Sequence, residues 1–335
     1  MRIVLTLAMA GLLGGCNWIS LAVNSASYKT LEAGDAGNLV VVDTVAYVSL
    51  ADSGFAVVSA DAGSRLRVVA PPRGLSSVDD VAAADGLLFV LDARPPGSLA
   101  VYSLADRLNP TLIAPAIDVP VGPFSGVSAA HGVAVVSGGT SALSSWSYDA
   151  TGALGDVAHI DLGRGQPDAL VGDAGTVFVS THYWGPYFGL DVVRRDSASL
   201  RVVARVRLTD AGFTTGGAKP ANFPVEAALL DSATLLVAHR RGVAVLDVSR
   251  PDAARLVRVI DVGGPAVNVD AMDRVAAVSV GGGVPAVVLI DFRSGPAAVV
   301  RRVTLPSGTK PAGVALSRHS VLIAARGRGV LAVKR

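Results

Sequence analysis

The one cysteine of this 335-residue chain, Cys16, lies in LLGGCNW (Leu12 to Trp18), behind an apolar run that starts at Ile3. A lone thiol forms no internal disulfide, and a four-ligand metal site would need partners it lacks. The histidines are His131, His159, His182, His239 and His319. No two share a helical spacing and none has a cysteine nearby, so the zinc signal is weak. No GxSxG, Walker-type or dinucleotide motif occurs. GGGVP (281–285) and RGRG (326–329) lack the helix that phosphate binding would need. A nucleophilic mechanism has no visible player.

Two other groups carry chemistry. THYWGPYFG (181–189) gathers His182, Tyr183, Trp184, Tyr187 and Phe188, and HRRG (239–242) gathers His239, Arg240 and Arg241. Arginine offers bidentate hydrogen bonds to carboxylate or phosphate, while aromatic rings offer flat faces to sugars or cations. The competing reading is aromatics folded over one another beside an ordinary solvated charge pair. The second group is a column of oxygen-bearing side chains five residues before successive turn signals: Asn38, Asp80, Asp168, Glu226 and Asn268, interrupted by Gly126 and Val314. Ca²⁺ takes about six to eight oxygen ligands, and carboxylates facing one axis could supply several. Alternatively these side chains hydrogen-bond neighbouring backbone and water fills the space between them.

Arg2, the apolar segment Ile3 to Leu13 and the small glycines after it have the form of a secretory signal peptide, too short for a membrane span. Leu13-Gly14-Gly15-Cys16 resembles the lipobox of bacterial lipoproteins. That resemblance implies cleavage after residue 15, diacylation of Cys16 and a stable lipid anchor. Asn17 in place of Asp implies export to the outer membrane in a Gram-negative cell. The competing reading is an ordinary signal peptide or a short core helix. The expected division is a signal peptide over 1–15, a lipidated tether over 16–26 and a globular domain over 27–335.

With 51% hydrophobic residues, 17% charged residues and a formal net charge of +2, the chain is neither disordered nor built to bind nucleic acid. Its organisation follows from a repeat. GVAVLDVSRPDAARLVRVIDV (242–262), GSLAVYSLADRLNPTLIAPAIDV (97–119) and AVVLIDFRSGPAAVVRRVTL (286–305) each spell a strand, a polar turn and a second strand. Each follows a two-strand unit such as VDDVAAADGLLFVLD (78–92) or FSGVSAAHGVAVVSG (124–138). Asp85-Gly86, His131-Gly132 and Asp173-Ala174-Gly175 mark hairpin turns. Seven such units at a spacing of roughly 43 residues match the four-stranded blade of a propeller. The last unit stops after three strands, and SYKTLEAG (27–34) supplies the missing outer one. The expected fold is therefore all-β, a seven-bladed propeller closed between its N- and C-terminal strands.

AYVSLADSGFAVVSA (46–60) and GVAVLDVSRPDAARLV (242–257) resemble the LVIVD-repeat family, which implies a propeller in a secreted or surface protein. The likeness spans about residues 38–335 and is strongest at these two stretches; it implies no particular chemistry.

Propellers bind ligands on the face carrying the loops between second and third strands and between blades. Here those loops bear Arg73, Arg94, Arg164, Lys219, Arg240, Arg241, Lys310, Arg326 and Arg328 against Asp52, Asp92, Asp168 and Asp210. The excess is positive. The expected function is an envelope-anchored module that binds an anionic glycan or an acidic protein partner, acting as a monomer. The alternative is a lactonase-like, metal-dependent hydrolase, with Asp80, Asp168, Glu226 and Asn268 holding Ca²⁺ and His182 or His239 moving protons.

Overall fold

The computed structural model describes residues 29–31, 36–59, 64–69, 75–94, 96–113, 115–119, 126–138, 141–163, 166–182, 188–208, 226–239, 242–293 and 298–335. The chain enters through β1 (Lys29–Leu31) and then builds seven antiparallel sheets. Blade 1 holds β2 (Leu39–Val42), β3 (Val45–Ser49), β4 (Phe55–Ser59) and β5 (Ser64–Val69). Blade 2 holds β6 (Asp80–Ala84), β7 (Leu87–Asp92), β8 (Ser98–Ser103), β9 (Thr111–Leu112) and β10 (Ile117–Asp118). Blade 3 holds β11 (Gly126–Ala130), β12 (Val133–Gly138), β13 (Ala142–Tyr148) and β14 (Leu154–Asp161). Blade 4 holds β15 (Gln166–Val171), β16 (Thr176–His182), β17 (Phe188–Asp196) and β18 (Ser199–Arg207). Blade 5 holds β19 (Ala227–Asp231), β20 (Thr234–His239), β21 (Gly242–Asp247) and β22 (Arg255–Ile260). Blade 6 holds β23 (Ala266–Met272), β24 (Val275–Val280), β25 (Ala286–Asp291) and β26 (Ala298–Thr304). Blade 7 holds β27 (Lys310–Leu316), β28 (Ser320–Arg326) and β29 (Gly329–Lys334). Its fourth strand is β1, which pairs with β29 in the register Lys29↔Ala332, Thr30↔Leu331, Leu31↔Val330. The first strands β2, β6, β11, β15, β19, β23 and β27 neighbour one another in a closed ring. The expected seven-bladed propeller, closed between both ends of the chain, is what forms.

The strands are short continuous apolar runs because both faces of every blade are covered. In β28, Val321, Ile323 and Ala325 pack toward blade 6, while Leu322 and Ala324 pack toward blade 1. Side chains alternate along a strand, so one apolar run feeds two cores. The buried clusters accordingly lie at the joints between neighbouring blades rather than at one centre. The largest rings serve these joints. Phe55 meets Tyr102 across blades 1 and 2, with centroids 5.3 Å apart, and Phe89 meets Tyr148 across blades 2 and 3 at 4.9 Å.

The hairpin turns fall where sequence placed them. Asp85 and Gly86 both have positive φ (52° and 79°), as do His131 and Gly132 (52° and 73°), matching the twist that a two-residue hairpin requires. The Asp173–Gly175 connection is instead a 3-10 turn. In blade 2 the outer strand is broken into β9 and β10, both paired with β8. Pro110 and Pro115 flank the first fragment, and a residue without an N–H cannot continue the ladder.

Candidate functional site

First strands run toward the hairpin-turn face, so the loops between second and third strands and between blades share the other face. The bridge between Ala51 of blade 1 and Val78 at the start of blade 2 ties two such loops together. On this face β16 and β17 end at the register pair His182↔Phe188, and β20 and β21 at His239↔Gly242. One core holds the two blades together, with Phe178, Leu190 and Leu208 of blade 4 against Leu235, Val237, Ala244 and Leu246 of blade 5. The strand ends bearing THYWGPYFG and HRRG therefore rise from the same face of adjacent blades. His239 is buried at the end of β20. Gly242, next after the arginine pair, has φ 137°, and a Cβ there would lie 2.0 Å from the Ile260 carbonyl oxygen. Only glycine lets the hairpin close so tightly against the outer strand. Tyr183, Trp184, Tyr187, Arg240 and Arg241 lie outside the described residues, as do the side chains of His182 and Asp168 and the whole of Cys16.

The charges of this face partly cancel. Arg94 pairs with Asp52 at 2.7 Å, so two charges counted as independent in the sequence neutralise each other. Asp92, 4% exposed, accepts the Ser76 hydroxyl at 2.7 Å and the backbone N–H groups of Ser76, Ser77 and Arg94. Burial alone would raise its pKa, but these donors outweigh it and hold the carboxyl below the ordinary range. Arg328 donates to the Ser307 carbonyl at 2.7 Å. Lys310 and Arg326 are exposed cross-strand neighbours at the face end of blade 7. Among the described residues the positive excess thus survives at blade 7 and not at blade 2; Arg73, Arg164, Lys219 and Asp210 lie outside them.

The oxygen column has a visible structural task. Asp80 accepts Asn38 Nδ2 at 2.6 Å from blade 1, its neighbour's Val81 N–H at 2.8 Å and the Val127 N–H of blade 3 at 2.7 Å. It thereby fastens three blades by their first strands. Burial is the main influence on this carboxyl and raises its pKa to about 6 against the opposing effect of those donors. Glu226 stands just before β19 and its carbonyl accepts the Ala238 N–H at 2.9 Å, while Asn268 is buried on β23. Among the described residues no three His, Cys, Asp or Glu side chains converge as a metal site would require.

Two members of this latch system escape the column read from the sequence. Asp270, two residues beyond Asn268 and so on the same face of β23, accepts the Leu316 N–H of blade 7 at 2.6 Å and the Ala271 N–H at 2.8 Å. Its pKa is likewise raised to about 6, chiefly by burial. Ser128 does the same for the Val171 N–H at 3.1 Å. Each reaches from one first strand to a backbone donor on the next. A strand period of two, applied to the Asn268 position, is the signal that finds Asp270.

This architecture recurs among solved structures. A chain of the mitotic checkpoint complex superposes with a TM-score of 0.66 at 13% identity, over 98% of this chain and 99% of that one. The WD40 repeats of RRP9 give 0.63 at 14% identity, over 93% of this chain and 98% of theirs. U3-55K gives 0.63 at 13% identity, over 92% and 98%. What they share with this chain is the propeller. At such identity the likeness shows the fold alone. No protein-family model matches this sequence, and no curated protein matches it.

Proposed function

We propose that this chain is a lipid-anchored binding propeller of the bacterial envelope, whose ligand is an anionic glycan or an acidic segment of a partner protein. The propeller fold accords with a protein-interaction module. The observation that carries the finer reading is the convergence of the β16–β17 and β20–β21 ends on one face of two blades locked by a shared core. The segments between those ends, YWGPY (183–187) and RR (240–241), supply flat rings and guanidinium forks, a combination suited to sugar rings bearing carboxylate or phosphate. Support for the envelope location comes from Leu13-Gly14-Gly15-Cys16 and from the likeness to LVIVD repeats.

The test is capture of envelope components with the protein as bait, followed by titration of the captured species. Trp184→Ala and Arg240→Ala/Arg241→Ala each weaken binding by roughly ten-fold or more, while thermal stability is unchanged. Binding declines as salt rises, because exposed charges are screened over about 8 Å at physiological ionic strength. Binding that survives both variants and high salt would move the site off these loops.

A further inference from the structure

The charge of this protein is segregated along the ring. After Asp291 the chain carries nine lysines and arginines and not one aspartate or glutamate, whereas the other 20 Lys and Arg are set against all 27 acids. That stretch forms the outer strand of blade 6 and the whole of blade 7 except β1. At the hairpin-turn face it comes together in one corner. The Arg335 N–H bonds the His319 carbonyl at 2.8 Å, and Ser320 lies opposite Lys334 in register, so the turn holding Arg318 and His319 adjoins the last residues of the chain. Arg301 of blade 6 donates to the Lys334 carbonyl at 2.6 Å and so joins the group. Arg335 is spent on the carbonyls of Ser317 and Met272. Arg318 and Lys334 are exposed, and neither side chain has a hydrogen bond or ion pair among the described residues. The nearby acids among the described residues are Asp291, which Arg293 holds at 2.6 Å, and the exposed Asp273.

The same corner receives the N-terminal segment. β1 is antiparallel to β29, and Lys29 stands opposite Ala332, two residues before Lys334. β1 therefore begins at the hairpin-turn end of blade 7. Twelve residues separate Cys16 from Lys29, and the span between the two is at most about 45 Å when extended. We propose that the basic corner formed by Arg301, Arg318, His319 and Lys334 docks on anionic lipid headgroups, seating blade 7 on the membrane with the candidate binding face turned away from it. This rests on the reading of Cys16 as the anchor, which brings a bilayer within reach of this corner and favours lipid over a soluble polyanion. Cations within a Debye length of an anionic leaflet add attraction, and a basic patch is the usual complement to an acyl anchor.

The experiment uses the full chain with Cys16→Ser, so that no acyl chain contributes, and reads co-sedimentation with phosphatidylcholine vesicles with and without phosphatidylglycerol. Binding is expected to be stronger to the anionic vesicles and to fall with salt. Adding Arg318→Gln/Lys334→Gln should lower the anionic-vesicle partition by roughly twenty-fold or more, at about five-fold per cation. The same loss of charge on the opposite face, Lys310→Gln/Arg326→Gln, should leave it nearly unchanged. Equal binding to both vesicle types, or an equal loss in both variants, overturns the proposal. So does preferential capture of a polyglutamate peptide, which would assign the corner to an acidic partner. Because the assay omits the acyl group on Cys16, it stands apart from the anchor: an unmodified Cys16 in cells would sink that reading and leave the vesicle result intact.

Discussion

Asp80 shows how a single side chain in this ring serves several blades at a cost. Its oxygens accept one side-chain and two backbone donors from three first strands, yet its burial disfavours the charge those bonds need. With a pKa of about 6 in the folded protein against an ordinary 3.8, the native chain retains a proton between those values that the unfolded chain has released. Raising pH from about 4 to about 6 therefore removes stability, by roughly 3 kcal/mol for this residue, and the loss is complete above the raised value. Asp270 adds a slope of the same sign. Opposing them, Asp85, Asp247 and Asp291 are held below the ordinary range by the Tyr148 hydroxyl, the Ser249 hydroxyl and Arg293 respectively. Their contribution is present above the ordinary carboxyl value and is lost on acidification below it. Stability is thus expected to peak at about pH 4 to 5 and decline toward neutrality. Thermal melts across this range check it: Asp80→Asn should gain on the wild type as pH rises from 4 to 6, and an identical slope in both proteins would show that Asp80 is not raised. Asp80→Ala should cost about 1–3 kcal/mol at about pH 4, because the Val127 N–H loses its acceptor, and the cost should shrink as pH rises toward 6 and the wild type loses its own Asp80 contribution.

At the scale of elements the decisive contact is β1 against β29, three residues from the chain's start sealing three strands from its end. Without it β29 becomes an open edge, and the blade 7 joints with blades 6 and 1 lose their outer cover. Deleting Ser27–Gly34 is accordingly expected to lower the melting temperature of the entire ring in one transition, as followed by circular dichroism. Unchanged stability would mean that the closing strand is dispensable. This closure was legible in the sequence because the final unit, ending GVLAVKR, stops one strand short and SYKTLEAG precedes the first unit unpaired. The apolar runs were legible for a related reason: a strand covered on both faces needs no alternation, and TLLVA or VLIAA shows none. The split of blade 2's outer strand has its cause in Pro110 and Pro115, but proline is also tolerated in an unbroken edge strand, so the sequence does not distinguish the two. A strand period of two finds the positions of Asp270 and Ser128 but not what they hold. Their partners, Leu316 and Val171, lie about one blade further along the chain, and local periodicity carries no record of such a pairing. Of the candidate site, the strand ends and the adjacency of blades 4 and 5 followed from the repeat. The cancellation of Arg94 by Asp52 did not, because it joins loops of two different blades.

For the whole molecule, the proposed membrane attachment turns on Cys16. No helix among the described residues is long and apolar enough to cross a membrane. The apolar segment Ile3 to Leu13 falls well short of the roughly 20 residues that a span requires. Electrostatic attraction at the blade 7 corner is weak at physiological salt, and stable attachment takes two signals, such as two acyl chains or one chain with a basic patch. Each buried methylene of an acyl chain contributes about 0.8 kcal/mol, so a diacylated Cys16 outweighs the contribution of the corner cations several-fold. The protein should therefore remain with membranes through a high-salt wash that strips peripheral proteins, and Cys16→Ser should abolish that retention. Mass spectrometry of the N-terminal peptide provides the direct check: a chain beginning at Cys16 and carrying acyl mass is the expected result, and an unmodified cysteine, or a chain cut elsewhere, would reject the anchor. The corner variant Arg318→Gln/Lys334→Gln separates the two contributions, since it should leave salt-resistant retention intact while altering how the ring sits on the surface. Protease accessibility reads that orientation. The loops at 183–187 and 240–241 should be cleaved at similar rates in vesicle-bound and free wild-type protein, whereas the bonds around Arg318 should be protected only in the bound wild type.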